Sequence, residues 1–198
     1  LVTIHDFLEL LQDQDKRHRN VVVFGLGYVG LTLAVSLANY GHMVTGLDID
    51  PQVVANLGVG ESHIHERGLT EMLRVVLRSG HFEVCEKLDR HRRGIYIIAV
   101  GTPLGADSKP DYTALKEVAQ TIGARLKHGD QIMLRSTVPA GTTRDLLLPV
   151  LERESGLKAG EDFHVAFVPE RTLAGQALIE LRKLPQIVGG LTPSCTSK

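Results

Sequence analysis

The chain has 198 residues, with 22 Lys and Arg against 23 Asp and Glu, for a formal net charge of −1. That length supports one large domain with a full hydrophobic core, and a near-neutral chain lacks the cationic excess of a general polyanion binder, which excludes nucleic acid as the expected partner. No apolar run reaches the ~18 residues of a membrane span, and Cys85 and Cys195 form neither a disulfide framework nor a metal-ligand pattern. With no secretory signal at the start of the sequence, a reducing, cytoplasmic setting is expected.

Ile4, Phe7, Leu8, Leu10 and Leu11 recur on a helical period over Thr3–Gln14, with Thr3 at the N-cap position. The charged stretch Asp13–Arg19 reads as a linker. Residues 1–19 are therefore expected to be a helical extension and linker, ahead of one domain over 20–198. The period then changes. Val21–Phe24 is a continuous run of β-branched and aromatic residues, the pattern of a strand buried on both faces. Further strands are expected at Met43–Leu47, Phe82–Cys85, Gly94–Val100, Gln131–Leu134 and His164–Val168, with a short addition at Ile187–Val188. Helical spacing occupies Leu31–Tyr40, Pro51–Leu57, Leu69–Arg78, Tyr112–Leu126, Thr142–Arg153 and Leu173–Leu184. Alternation of this kind, with strands too apolar to face water, predicts an α/β fold. It is a doubly wound, Rossmann-type, mostly parallel sheet of about six strands with helices on both faces.

The first strand–helix junction reads Gly25-Leu26-Gly27-Tyr28-Val29-Gly30, a G-x-G-x-x-G pattern. By itself this pattern is weak. Here it follows a buried strand and opens a helix, and Asp48 ends the next strand 18 residues after Gly30, which is the context of a dinucleotide site. Gly25 permits the tight turn, Gly27 lets backbone approach a pyrophosphate, and Gly30 lets helix and sheet pack closely. The helix N-terminus offers N–H groups to the phosphates, and Asp48 accepts from the adenosine ribose. A carboxylate at position 48, with no Lys or Arg across Asp48–Leu57, favours NAD over NADP. Asp50 is the expected N-cap ahead of Pro51. His63 and His65 lie in a loop, without the spacing of a metal site.

Four more segments follow in order: Gly60-Glu61-Ser62-His63-Ile64-His65-Glu66, Val100-Gly101-Thr102-Pro103-Leu104, Ser136-Thr137-Val138-Pro139-Ala140-Gly141-Thr142-Thr143 and Pro169-Glu170-Arg171-Thr172-Leu173-Ala174-Gly175. With Leu184-Pro185-Gln186-Ile187-Val188-Gly189-Gly190 and the glycine fingerprint, they resemble the UDP-glucose/GDP-mannose (nucleotide-sugar) dehydrogenase family over about residues 20 to 193. The resemblance implies that Tyr28, Val29, Thr102, Pro103, Ser136 and Thr137 join Gly25, Gly27, Gly30 and Asp48 around NAD. It also implies that Thr137 and Glu170 are catalytic, Thr137 orienting a hydrolytic water and Glu170 assisting proton transfer near the sugar C6. Arg171 after Glu170, and Ala174 where the UDP-glucose branch carries a second Glu, resemble the branch that handles UDP-N-acetyl-hexosamines. Arg67 stands where the family commonly has Pro.

The implied reaction oxidises a UDP-sugar, UDP-N-acetylmannosamine or UDP-glucose, to its uronic acid in two successive steps. In the family the second step passes through a cysteine in a Gly-rich segment further along, and a lysine stabilises the oxyanion. Cys195 has no such surroundings, so this chain alone is expected to be inactive. Homodimerisation through a central helix starting near Thr192 is likewise implied by the resemblance. The alternative reading is a stand-alone NAD-binding module without catalysis.

Overall fold

The computed structural model describes residues 20–88 and 94–197; the helix expected over Thr3–Gln14 and its linker lie outside them. Strand β1 (Asn20–Phe24) is buried from Val21 to Phe24. Its side chains alternate between two cores, Val21 and Val23 in one, Val22 and Phe24 in the other. This is what an unbroken apolar run requires, since neither face can meet water.

The sheet runs β3-β2-β1-β4-β5-β6-β7. Its other strands are β2 (Met43–Leu47), β3 (Phe82–Cys85), β4 (Gly94–Ile98), β5 (Gln131–Leu134), β6 (His164–Phe167) and β7 (Gly189–Gly190). Strands β1 to β6 are parallel, and β7 is antiparallel to β6. The short addition expected at Ile187–Val188 thus forms two residues later, as Gly189 and Gly190. The chain leaves β1 toward β2 and β3, then returns to the other side of β1 as β4. At such a switch point a ligand lies against the carboxyl ends of the strands.

The core holding Val21 and Val23 is covered by α1 (Tyr28–Asn39), α2 (Pro51–Gly58), α3 (Leu69–Arg78) and α6 (Ala177–Lys183). The opposite core is covered by α4 (Thr113–Gly123) and α5 (Leu148–Ser155). A last helix, α7 (Pro193–Ser197), packs on β6 and β7. Helices under ~12 residues are marginal alone. Buried contacts such as Leu57, Leu151, Leu178 and Leu181, at roughly 1.5–3 kcal/mol each, keep the short ones in place. Asp50 caps α2, its Oδ1 accepting from the Gln52 N–H at 2.8 Å, with Pro51 in the first turn. Among the described residues no helix is long and apolar enough to cross a membrane.

The helix expected over Leu31–Tyr40 already starts at Tyr28, that over Tyr112–Leu126 narrows to Thr113–Gly123, and the strand expected over Gly94–Val100 ends at Ile98. Two further helices differ more. The Thr142–Arg153 periodicity is split into a π-helical turn over Thr143–Leu147 followed by α5. Pro149 lacks an N–H, and its ring crowds the preceding turn, so the chain widens by one residue before it. Residues from Leu173 do not join α6, which begins at Ala177. The Leu173 N–H is taken by Glu180 Oε2 at 2.7 Å, and Gly175 stands at φ +85°. These residues are drawn instead toward the strand ends.

Candidate cofactor and active site

Gly25 and Gly30 are demanded by the fold itself. Gly25 stands at φ +85°, and a Cβ on Gly30 would fall 1.8 Å from the Gly25 carbonyl oxygen. Gly27 is different. Its φ of −65° is open to any residue, it is exposed, and a Cβ there would meet nothing within 4 Å. Among the described residues nothing requires glycine at this position, so the space above it suits a closely approaching ligand. Behind it α1 opens with no side-chain cap and no acidic residue in its first turn. The amides of Tyr28, Val29 and Gly30 therefore present donors and a positive dipole end, the arrangement that binds phosphate.

Asp48 follows β2. Its Oδ2 accepts from the Leu26 N–H at 2.8 Å and its Oδ1 from the Asp50 N–H at 3.1 Å. The carboxylate thus ties the glycine loop to the β2 end, and each oxygen keeps further acceptor capacity for a ribose hydroxyl. It lines a cleft of about 620 Å³ with Gly25, Gly27, Ile49, Leu88 and Val118, a volume in the range of small-molecule sites. These residues fit the adenosine and pyrophosphate of a dinucleotide. The cleft wall also carries Lys87 and Arg125. Reading Asp48–Leu57 alone missed them, because they come from the β3 end and from just beyond α4.

The loops after β4 and β5 are tied together. Thr102 Oγ1 donates to the Thr137 carbonyl at 2.6 Å, and Ser136 Oγ donates to the Val100 carbonyl at 2.7 Å. Ser136 is buried and spends its hydroxyl on this tie, whereas Thr137 is exposed. Pro103 starts a small loop whose ends pair at Leu104 and Pro110.

Glu170 follows β6. Its Oε1 accepts from the N–H groups of Arg171 at 2.7 Å and Thr172 at 2.8 Å. Its Oε2 accepts from Arg135 Nε at 3.1 Å and also from Arg135 Nη2. The paired side chains are only 4% and 8% exposed. Burial pushes the Glu170 carboxyl up, but the Arg135 charge and the four hydrogen bonds outweigh it and hold the group below its ordinary value. Arg135 escaped the sequence reading; a single Arg before Ser-Thr carries no local sign that it will be buried.

A second cluster joins the cofactor loop to the loop after β6. The Tyr28 hydroxyl donates to Glu66 Oε2, and the Gly175 N–H reaches the Tyr28 oxygen at 2.6 Å and Glu66 Oε2 at 2.9 Å. Burial, followed by the Glu66 carboxylate, pushes the Tyr28 phenol up, which keeps it a proton donor here. Tyr28→Phe removes the shared hydroxyl. Amide exchange at Gly175 is expected to accelerate about fivefold or more, the worth of one net hydrogen bond. Hydrogen-exchange NMR of the wild type and the variant measures this, and an unchanged Gly175 rate would show that Glu66 alone holds the loop.

A parallel sheet in this order, with a glycine fingerprint at its switch point and an acid at the end of β2, defines a dinucleotide-binding Rossmann domain. The chain belongs to the UDP-glucose/GDP-mannose dehydrogenase family, as its NAD binding domain, which matches residues 19–198. It is 33% identical over 184 residues to the UDP-N-acetyl-D-mannosamine dehydrogenase of Yersinia pestis, covering 90% of this chain and 43% of that protein. The UDP-D-ManNAc dehydrogenase structure from Pyrococcus horikoshii superposes with a TM-score of 0.85 at 34% identity, over 89% of this chain and 42% of that one. The GDP-mannose dehydrogenase ternary complex from Pseudomonas aeruginosa gives 0.82 at 30% identity, over 88% and 42%. The chain therefore spans less than half the length of these relatives.

Proposed function

We propose that this domain serves a nucleotide-sugar 6-dehydrogenase that oxidises a UDP-sugar, UDP-N-acetylmannosamine ahead of UDP-glucose, to its uronic acid. The carrying observation is convergence. The exposed Thr137, bonded through its carbonyl to Thr102, the Ser136 tie to Val100, and the ionised Glu170 all follow strand ends on the edge that holds the Gly25–Gly30 cradle. Support for the N-acetylated sugar comes from the two UDP-N-acetyl-mannosamine dehydrogenases among the relatives named above and from Arg171 and Ala174 in the Pro-Glu-Arg segment.

Bound NAD would supply the hydride acceptor. The chain's own residues bind and orient. The first turn of α1 receives the pyrophosphate, and Asp48 receives the ribose hydroxyls. Thr137 offers its hydroxyl to a water in the hydrolytic half. Glu170 contributes a fixed negative charge. With Arg135, Arg171 and Thr172 occupying its acceptor positions, holding a charge suits it better than carrying a proton back and forth near neutral pH.

Calorimetric titration of this chain with NAD and NADP is the first test. NAD is expected to bind at least about tenfold more tightly, a difference of ~1.4 kcal/mol. Asp48→Asn is expected to lose most of that preference by removing the charge that repels a 2′-phosphate. Equal affinities in the wild type would mean that Lys87 or Arg125 accepts the phosphate. The second test is NADH formation by the native gene product carrying this domain, with UDP-N-acetylmannosamine, UDP-glucose and GDP-mannose in turn. Turnover of GDP-mannose alone would overturn the UDP-sugar assignment. NAD binding without turnover of any of them would favour the non-catalytic module.

A further inference from the structure

Three separated motifs meet at one buried cation. Arg135 leaves the end of β5, Glu170 follows β6, and Gln186 precedes β7. Arg135 Nε and Nη2 hold Glu170 Oε2, while Nη1 and Nη2 donate to Gln186 Oε1 at 3.2 and 3.3 Å. Nη1 also reaches the Val168 carbonyl at 3.4 Å. The planar fork of five donors is what allows one side chain to serve a carboxylate, a carboxamide and a carbonyl together.

We propose that Arg135 is a positioning residue, whose guanidinium clamps Glu170 to Gln186 and so sets the carboxylate and the turn that follows it. The proposal rests on the reading above that Glu170 serves the reaction. A buried ion pair is not explained by stability, since apolar side chains of similar volume often do as well. Geometry gives it another use. Once Arg135 fixes Oε2, the opposite oxygen fixes the Arg171 and Thr172 amides. The backbone then runs on to Gly175, whose N–H meets Tyr28 in the cofactor loop. The guanidinium therefore sets the start of a segment that ends against the cofactor cradle.

The test uses this chain with the Glu170 carboxyl carbon followed by NMR against pH, and with Arg171 and Thr172 amide exchange measured in the same samples. In Arg135→Met the Glu170 titration midpoint is expected to move up, because only the Arg171 and Thr172 amides then oppose the effect of burial. Arg135→Lys restores the charge, so the midpoint returns toward the wild-type value. It lacks the fork, however, so exchange at Arg171 and Thr172 accelerates about tenfold or more, as expected for weakened bonds to a charged group. Gln186→Leu keeps the ion pair and loosens only the far side of the clamp. The midpoint should stay low there while the same amides exchange faster. Gln186→Leu keeps the test alive if Arg135→Met fails to fold. An unchanged midpoint in folded Arg135→Met, or unchanged amide exchange in both Arg135→Lys and Gln186→Leu, overturns the clamp. Failure of the wild-type chain to bind NAD sinks the functional reading instead, and leaves the clamp to be judged on these spectra.

Discussion

Gly27→Ala is expected to weaken NAD binding about tenfold or more while changing unfolding free energy by less than about 1 kcal/mol. Gly30→Ala, three residues on, is expected to cost about 3 kcal/mol or more of stability, the upper end for forced overpacking. The two glycines share one motif, but different neighbours require them. A methyl on Gly27 points into open space at an ordinary φ of −65°. The fold tolerates it, and only a ligand passing over the loop is displaced. A methyl on Gly30 would lie 1.8 Å from the Gly25 carbonyl oxygen. Gly25 cannot retreat, because it is already at φ +85° with its own Cβ position 2.9 Å from the Ala99 carbonyl oxygen. Urea unfolding of both variants and NAD calorimetry of Gly27→Ala check the contrast. Wild-type affinity in Gly27→Ala would show that the pyrophosphate takes another path.

What the sequence disclosed was local. The Val21–Phe24 run, the glycine spacing and Asp48 lie within one β-α-β unit, where period and spacing report burial and backbone shape directly. The mostly parallel, doubly wound sheet follows from the alternation of strands and helices, whereas its strand order is seen only in the structure. The missed features depend on partners distant in the chain. Glu66 had no assigned part because it meets Tyr28 across 38 residues and Gly175 across 109. Arg135 pairs with Glu170 across 35 residues and with Gln186 across 51. Lys87 and Arg125 enter the cleft only once β3 and α4 are in place. The start of α6 lies later than its spacing suggests for a related reason. Leu173 and Ala174 have helical spacing, yet contacts from Glu180, Tyr28 and Glu66 pull the Leu173–Gly175 backbone out of the helix. Tertiary hydrogen bonds there outweigh the weak preference of a few residues for continuing a helix.

Glu170→Ala is expected to lower stability by about 3–5 kcal/mol at neutral pH, because it strands the Arg135 guanidinium, 4% exposed, without its counter-charge. The double variant Arg135→Met/Glu170→Leu should recover most of that loss, since it removes both charges and leaves apolar volume. The pH dependence separates the pair from simple packing. The folded Glu170 carboxyl lies below its ordinary value of 4.5. In the window between those two values the unfolded chain binds a proton that the folded chain does not, so stability rises with pH. The stabilisation is complete above the unfolded value and is lost as pH falls through the lower, folded one. The wild type should show this acid-side slope, and the double variant should show less of it. Urea unfolding of the wild type, Glu170→Ala and the double variant across that acid range measures both effects. If the double variant is as unstable as Glu170→Ala, the pair holds the fold rather than merely orienting the turn. If instead it is stable, yet its Arg171 and Thr172 amides exchange freely, the ion pair is kept for geometry, and what it orders is the backbone between the end of β6 and the glycine loop.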